Sequence, residues 1–301
     1  MGTHWIKLRS GIIVQAKDVH FSQNPVKTSF SRIGDMAVEL EDLYSKYSIQ
    51  LSAGSRMATR IRGAKDLKVR WETEPKNTIT GEMIINAINF QRIAGALLPL
   101  DGNDKAEFFL NKLLDGDLDI TKRTPNVGKS FLWELELWNK MTHMGLHAEF
   151  KEPDISWEDK GDVLGVACKR LYSEKHVQHV LSEAVAQIKE TTHYGIAAFN
   201  LDDLVVPADQ IFHAHDKSVV LDWLTRANQD FLVRNHRHFE KYFLSNRLAG
   251  VIVSTSCLSR LDTLYVASQW TVWTHPELDA DNKRRIQYLY EKLSAGSSAG
   301  V

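Results

Sequence analysis

Apolar positions recur along the chain at helical spacing first, and then in short alternating runs between helices. In "FSRIGDMAVELEDLYSKYS" (30–48), Ile33, Met36, Leu40 and Leu43 fall three or four apart, which predicts a helix with one apolar side. "TGEMIINAINFQRIAGALL" (80–98) predicts a strongly apolar helix opened by Thr80, and 104–115 predicts another. "WIKLRSGIIVQ" (5–15) predicts a strand, and "DLKVRWETE" (66–74) alternates like one. The pattern changes at the turn-rich "KRTPNVGKS" (122–130). After it come a helix (128–144), strands at 147–150, 153–157 and 163–169, a helix (174–192) and a strand (194–201). A charged helix (217–245), strands at 249–256 and 263–273, and a helix (277–293) follow.

This order predicts an α/β (α+β) fold with a mixed central sheet flanked by helices over 123–293. A mainly helical N-terminal unit over 1–122 would serve recognition, sensing or dimerisation. The small residues of 294–301 predict a flexible tail.

Composition changes this picture little. The chain has 301 residues, 43% hydrophobic and 25% charged, which gives room for one large or two modest domains. A net charge of −1 excludes a whole-chain polycation, so nucleic-acid binding would need a local basic patch. Cys168 and Cys257 form neither a disulfide framework nor a zinc spacing. The expectation is an intracellular, cytoplasmic protein with no membrane partner. No uninterrupted apolar run approaches a membrane span, and the N-terminus lacks a secretion signal's apolar core.

"TPNVGKS" (124–130) imitates a phosphate-binding loop, but Arg123 stands where the first glycine must let the backbone wrap phosphates. It reads as a loop and helix start, with Ser130 near the cap.

The candidate chemistry lies in and around "VLGVACKR" (163–170). Strand alternation turns Leu164, Val166 and Cys168 one way, and Gly165, Ala167 and Lys169 the other. Ala167 and Lys169 therefore share a face at the strand's end. Asp154 follows Pro153, which presets an extended start to the preceding strand. On helix 128–144, Phe131, Leu135 and Trp138 cluster, with Met141 and Leu137 extending the face. Glu134 falls inside that apolar face, where a carboxylate is costly unless paired or bound to a metal. Glu136 falls opposite and reads as solvated.

Glu134, Pro153–Asp154 and Cys168–Lys169, in the order helix, strands, helix, together resemble the PD-(D/E)xK nuclease superfamily, with its restriction-endonuclease-like fold. The resemblance covers roughly 128–205 and leaves the first 120 residues aside. It implies a Mg²⁺-dependent nuclease, with Mn²⁺ as a substitute ion. Asp154 would be the central metal ligand, joined by the Cys168 carbonyl, with Glu134 assisting. Lys169 would orient water or stabilise the transition state. Ala167 departs from the family, which carries an acid there. An engineered inactive variant, a natural variant in which Glu134 takes over as ligand, and a non-cleaving relative all remain open. The resemblance implies DNA before RNA as substrate, in restriction or antiphage defence, with a homodimer and a phage-derived or protein trigger among the partners. A tRNA-cleaving effector and a non-catalytic binding module are the alternatives.

Arg170, Lys175 and Lys189 are candidates for phosphate contacts. Gln187 and Tyr194 match positions that touch DNA in some relatives. "HAHD" (213–216) and "HRH" (236–238) lack a second ligand pair and read as surface or structural histidines. Trp138, Trp270 and Trp273 sit in apolar patterns and read as core.

Overall fold

The computed structural model describes residues 3–7, 13–22, 29–159, 161–192 and 194–298. β1 (Thr3–Lys7) and β2 (Ile13–Ser22) pair antiparallel where one strand was predicted; residues 8–12 lie outside the described residues. α1 (Phe30–Lys46) begins at Ser29, whose hydroxyl accepts from the Arg32 amide, and it buries the four predicted apolar positions.

α2 (Arg56–Thr73) overturns the strand predicted over 66–74. Ser55 caps it, and Met57, Ile61, Ala64 and Leu67 share its buried side. Val69, in the middle of the alternating run, is 56% exposed. The longer helical period won over three alternating residues.

α3 (Gly81–Leu97) opens on Thr80 as predicted, and α4 (Ala106–Leu113) follows. By length and composition Gly81–Leu100 would suffice to cross a membrane, which the polar interruptions in its sequence argued against. In the fold half of it is buried, and it packs on α1, α2 and the helix after α4. Its Asn89 donates to Asp119, and its Arg92 pairs with Glu136. Those polar contacts suit a core helix.

α5 (Val127–His143) leads into a meander of β3 (His147–Glu149), β4 (Ile155–Asp159) and β5 (Asp162–Arg170). α6 (Val177–Thr191) then returns the chain to β6 (Gly195–Asn200), parallel to β5. Gly195 permits that pairing, because a Cβ there would lie 2.0 Å from the Gly165 carbonyl oxygen. Short α7 (Asp202–Val205) and β7 (Phe212–His213) come next, then α8 (Lys217–Leu244), β8 (Leu248–Arg260), β9 (Leu264–Trp273) and α9 (Ala280–Ser298).

The result is a mixed sheet in the order β1-β2-β9-β8-β6-β5-β4-β3, with β7 beside β8. One face meets α1–α5 and α9 in a cluster that includes Leu40, Phe90, Trp133, Trp157 and Leu289. The other meets α6 and α8 through Ala167, Leu181, Phe199, Phe231 and Trp273. The core therefore runs without a break across residue 122. The described part of the first 122 residues is mainly helical, and its β2 joins the sheet, covering the backbone edge that β9 would otherwise leave open. At the other end, α9 continues past 293 to Ser298, into the predicted tail; Ala295 favours helix and no proline interrupts it.

Candidate active site

α5 carries the first acidic residue. Asn126, not Ser130, caps it, accepting from the Gly128 amide at 2.8 Å. Lys129 gives its ammonium to the Lys122 carbonyl at 2.6 Å and to Asp203 at 3.2 Å, so it does not reach for phosphate. The helix is buried on more than one side, because it lies between the sheet and the N-terminal helices. Leu132, Trp133, Leu135, Leu137, Trp138 and Met141 are all buried. Trp270 and Trp273 are buried too, as their apolar surroundings predicted.

Asp154 and Lys169, both at strand ends, lie within electrostatic range of Glu134. Asp154 stands one residue before the β4–β5 register, which opens on Ile155 opposite Val166, so it is level with Ala167. Its carboxylate accepts from the Cys168 amide at 2.6 Å. N–H and C=O of one strand residue point the same way, so the Cys168 carbonyl also leaves β5 towards Asp154, where β4 has not yet begun. Gly165 keeps the approach open: a Cβ there would lie 2.7 Å from Pro153 and 2.6 Å from the Thr192 hydroxyl. Lys169 donates to Gln187 of α6 at 2.6 Å.

The electrostatics mark this as a strained cluster of acids. Burial, then repulsion from Asp154, pushes Glu134 up to about 8, with Lys169 opposing. Burial pushes Asp154 up to about 6, against the Cys168 amide and Lys169. Glu134 is still protonated while Asp154 titrates, so it adds no repulsion there. Burial and both carboxylates hold the Cys168 thiol protonated.

Two half-buried carboxylates and a carbonyl are hard oxygen donors, and they suit Mg²⁺ with water completing its shell. Among the described residues no three His, Cys, Asp or Glu side chains converge as a metal cluster. The third acidic position is Ala167, which is fully buried in the apolar cluster under α6. Alternation holds as predicted: Leu164 and Val166 face α5, and Ala167 faces α6.

Both raised carboxyls make the fold less stable as pH rises. Below the ordinary carboxylate range both states are protonated and the contribution is complete; above it the unfolded state ionises while the folded state still holds its protons, and stability falls. That contribution is lost as pH climbs through about 6 for Asp154 and about 8 for Glu134. Urea unfolding in EDTA is expected to show stability falling from pH 5 to pH 8.5. Glu134→Gln should remove most of the fall above pH 6, on the order of 1–3 kcal/mol. An equally steep fall in the variant would show that Glu134 is not the titrating group.

Other predicted residues are elsewhere engaged. Arg170 does not await a phosphate: its side chain is 2% exposed, and its Nε donates to Asp203. The Tyr194 hydroxyl accepts from Arg285 at 3.0 Å. Lys175, in the turn before α6, is exposed, as is Lys189. His236 is buried with Nδ1 at 2.9 Å from the Val233 carbonyl, and Asp216 of "HAHD" caps α8.

The sequence reading missed a buried charge network. Glu136 is not solvated but bound by Arg92, Nε at 2.5 Å and Nη2 at 2.9 Å. Arg92 and Arg170 also flank Asp202, at 3.8 and 3.6 Å. Asp203 holds Arg170 and Lys129, with Arg123 at 3.9 Å. The available signal was "NLDDL": two consecutive aspartates directly after an apolar strand.

No protein-family model, no curated protein and no solved structure matches this chain.

Proposed function

We propose that the chain is a restriction-endonuclease-like nuclease scaffold that acts on nucleic acid, DNA before RNA, with Mg²⁺ or Mn²⁺. The observation that carries this reading is the meeting of Glu134 and Asp154, from two different elements, at the end of β5 beside Lys169. The order α5, β3–β4–β5 meander, α6, parallel β6 supports the same fold. Asp154, Glu134 and the Cys168 carbonyl would hold the ion. When bound, it would supply a Lewis acid for phosphate and an activated water. Gln187 positions the Lys169 ammonium, which would meet the phosphate's negative charge. The role in restriction or antiphage defence is part of the proposal and rests on fold analogy.

The second reading, a non-catalytic nucleic-acid-binding module, is favoured by the burial of Ala167 among apolar side chains. One experiment separates them. Supercoiled plasmid, linear DNA and tRNA are incubated with Mg²⁺ or Mn²⁺ and three chains: unaltered, Ala167→Glu, and Ala167→Glu with Asp154→Asn. Cleavage by the single variant alone supports the nuclease. Binding without cleavage by any of them supports the module and sinks the nuclease.

A further inference from the structure

A cavity of about 540 Å³ opens between α3, α5 and the β8–β9 hairpin. It lies across α5 from Glu134, because Glu136 lines it and successive odd or even positions two apart differ by roughly 200° around a helix. Its volume falls in the range of small-molecule sites. One wall is aromatic: Trp133 and Trp270 meet edge to face, 5.5 Å between centroids. The Trp133 indole N–H is already given to the Ala198 carbonyl, and with Trp133 1% and Trp270 5% exposed the pair forms a closely packed apolar backing to the cavity.

The polar lining points to negative charge. Arg92 is 7% exposed and lines the cavity; its pairings with Glu136 and Asp202 use Nε and Nη2 and leave Nη1 out. The Ser254 hydroxyl, on a residue 1% exposed, lines the same cavity and has no hydrogen-bond partner. A buried polar atom without a partner is costly, and a ligand atom would remove that cost. The network behind the cavity holds four cations, Arg92, Arg123, Lys129 and Arg170, against three carboxylates, Glu136, Asp202 and Asp203. One positive charge is left over, and uncompensated buried charge favours an anion. Lys140 stands at the cavity as a further cation. Burial draws its pKa down to about 8, a drop that a bound anion would reverse.

We propose that this cavity binds a small anion carrying a planar ring. The ring lies along the Trp133–Trp270 wall, and the anionic group takes hydrogen bonds from Arg92, Ser254 and Lys140. The inference does not rest on the nuclease reading, since none of these residues belongs to the Glu134–Asp154 cluster.

Calorimetric titration of the full chain tests it. Adenosine 5′-monophosphate and indole-3-acetate are the complete probes; adenosine and inorganic phosphate each carry half of the proposed chemistry. At least one complete probe is expected to saturate with Kd below about 1 mM, roughly tenfold or more tighter than either half. Lys140→Gln and Ser254→Val should each weaken it by roughly tenfold while the melting temperature stays unchanged. Lys140→Gln alters only the half-exposed side and keeps the test available if Ser254→Val fails to fold. No saturation by either complete probe, binding of phosphate alone with equal strength, or undiminished binding by Lys140→Gln would overturn the proposal.

Discussion

Replacing Asp203 with alanine is expected to lower the free energy of unfolding by about 3–5 kcal/mol, the cost of leaving buried cations without their anion. The Asp203 side chain has no solvent exposure, and it holds Arg170 at 2% exposure and Lys129 at 3%. The variant leaves both charges in the interior: Arg170 keeps only Asp202, itself shared with Arg92, and Lys129 keeps only the Lys122 carbonyl. Lys129 can escape by losing its proton, since burial already lowers its pKa. Arg170 cannot, because a guanidinium stays charged. The larger part of the loss should therefore trace to Arg170. Asp203→Leu combined with Arg170→Met tests that division: removing both charges should recover a substantial part of the loss. Urea denaturation at pH 7 measures each variant. A loss under about 1 kcal/mol for Asp203→Ala would mean that the network is solvated or rearranges, and that the packing described here does not hold it.

Ala167→Glu is expected to do two opposed things. Without metal it should destabilise the fold, because the new side chain enters a cluster with Leu181, Ala184 and Ile188 and adds a third acid beside two already raised. With Mg²⁺ or Mn²⁺ it should gain nuclease activity on the order of a hundredfold or more over the unaltered chain. Position 167 is level with Asp154 and shares its strand face with Lys169, so a carboxylate there joins the same site from the strand itself. The linkage is measurable apart from cleavage. Millimolar Mg²⁺ should raise the melting temperature of Ala167→Glu more than that of the unaltered chain, since an ion that binds only the folded state stabilises it. An equal response to Mg²⁺ in both chains, with no cleavage by either, would place position 167 outside any metal site.

Much of the fold was legible because its cause is local. Thr80 caps α3 where the pattern places it, and the apolar spacing in α1 survives intact. The three strands before α6 and the strand after it fall within a residue or two of their predicted places. Where local signals conflicted, the longer one prevailed, as in α2. The site was legible in part. Glu134 on a buried helix and Asp154 behind a proline are anomalies that composition exposes, and the structure brings both to the end of β5. Arg170 was misread because a basic residue beside a candidate site looks the same in sequence whether it faces solvent or a buried aspartate. Glu136 was misread because the pattern reports one buried face, while α5 is covered on several.

The sequence by itself determined α1, α3 and most elements after residue 122, the strand alternation that puts Ala167 with Lys169, and the unusual placement of Glu134. Each follows from backbone geometry acting over a turn or a few residues. Only the tertiary structure decided that β2 closes onto β9, that Asp154 stands level with Ala167, and that Arg92, Glu136, Arg170 and the 202–203 aspartates form one buried network. Those contacts join residues far apart in the chain. Their energies depend on which charges share a low-dielectric interior, and no local window of sequence carries that information.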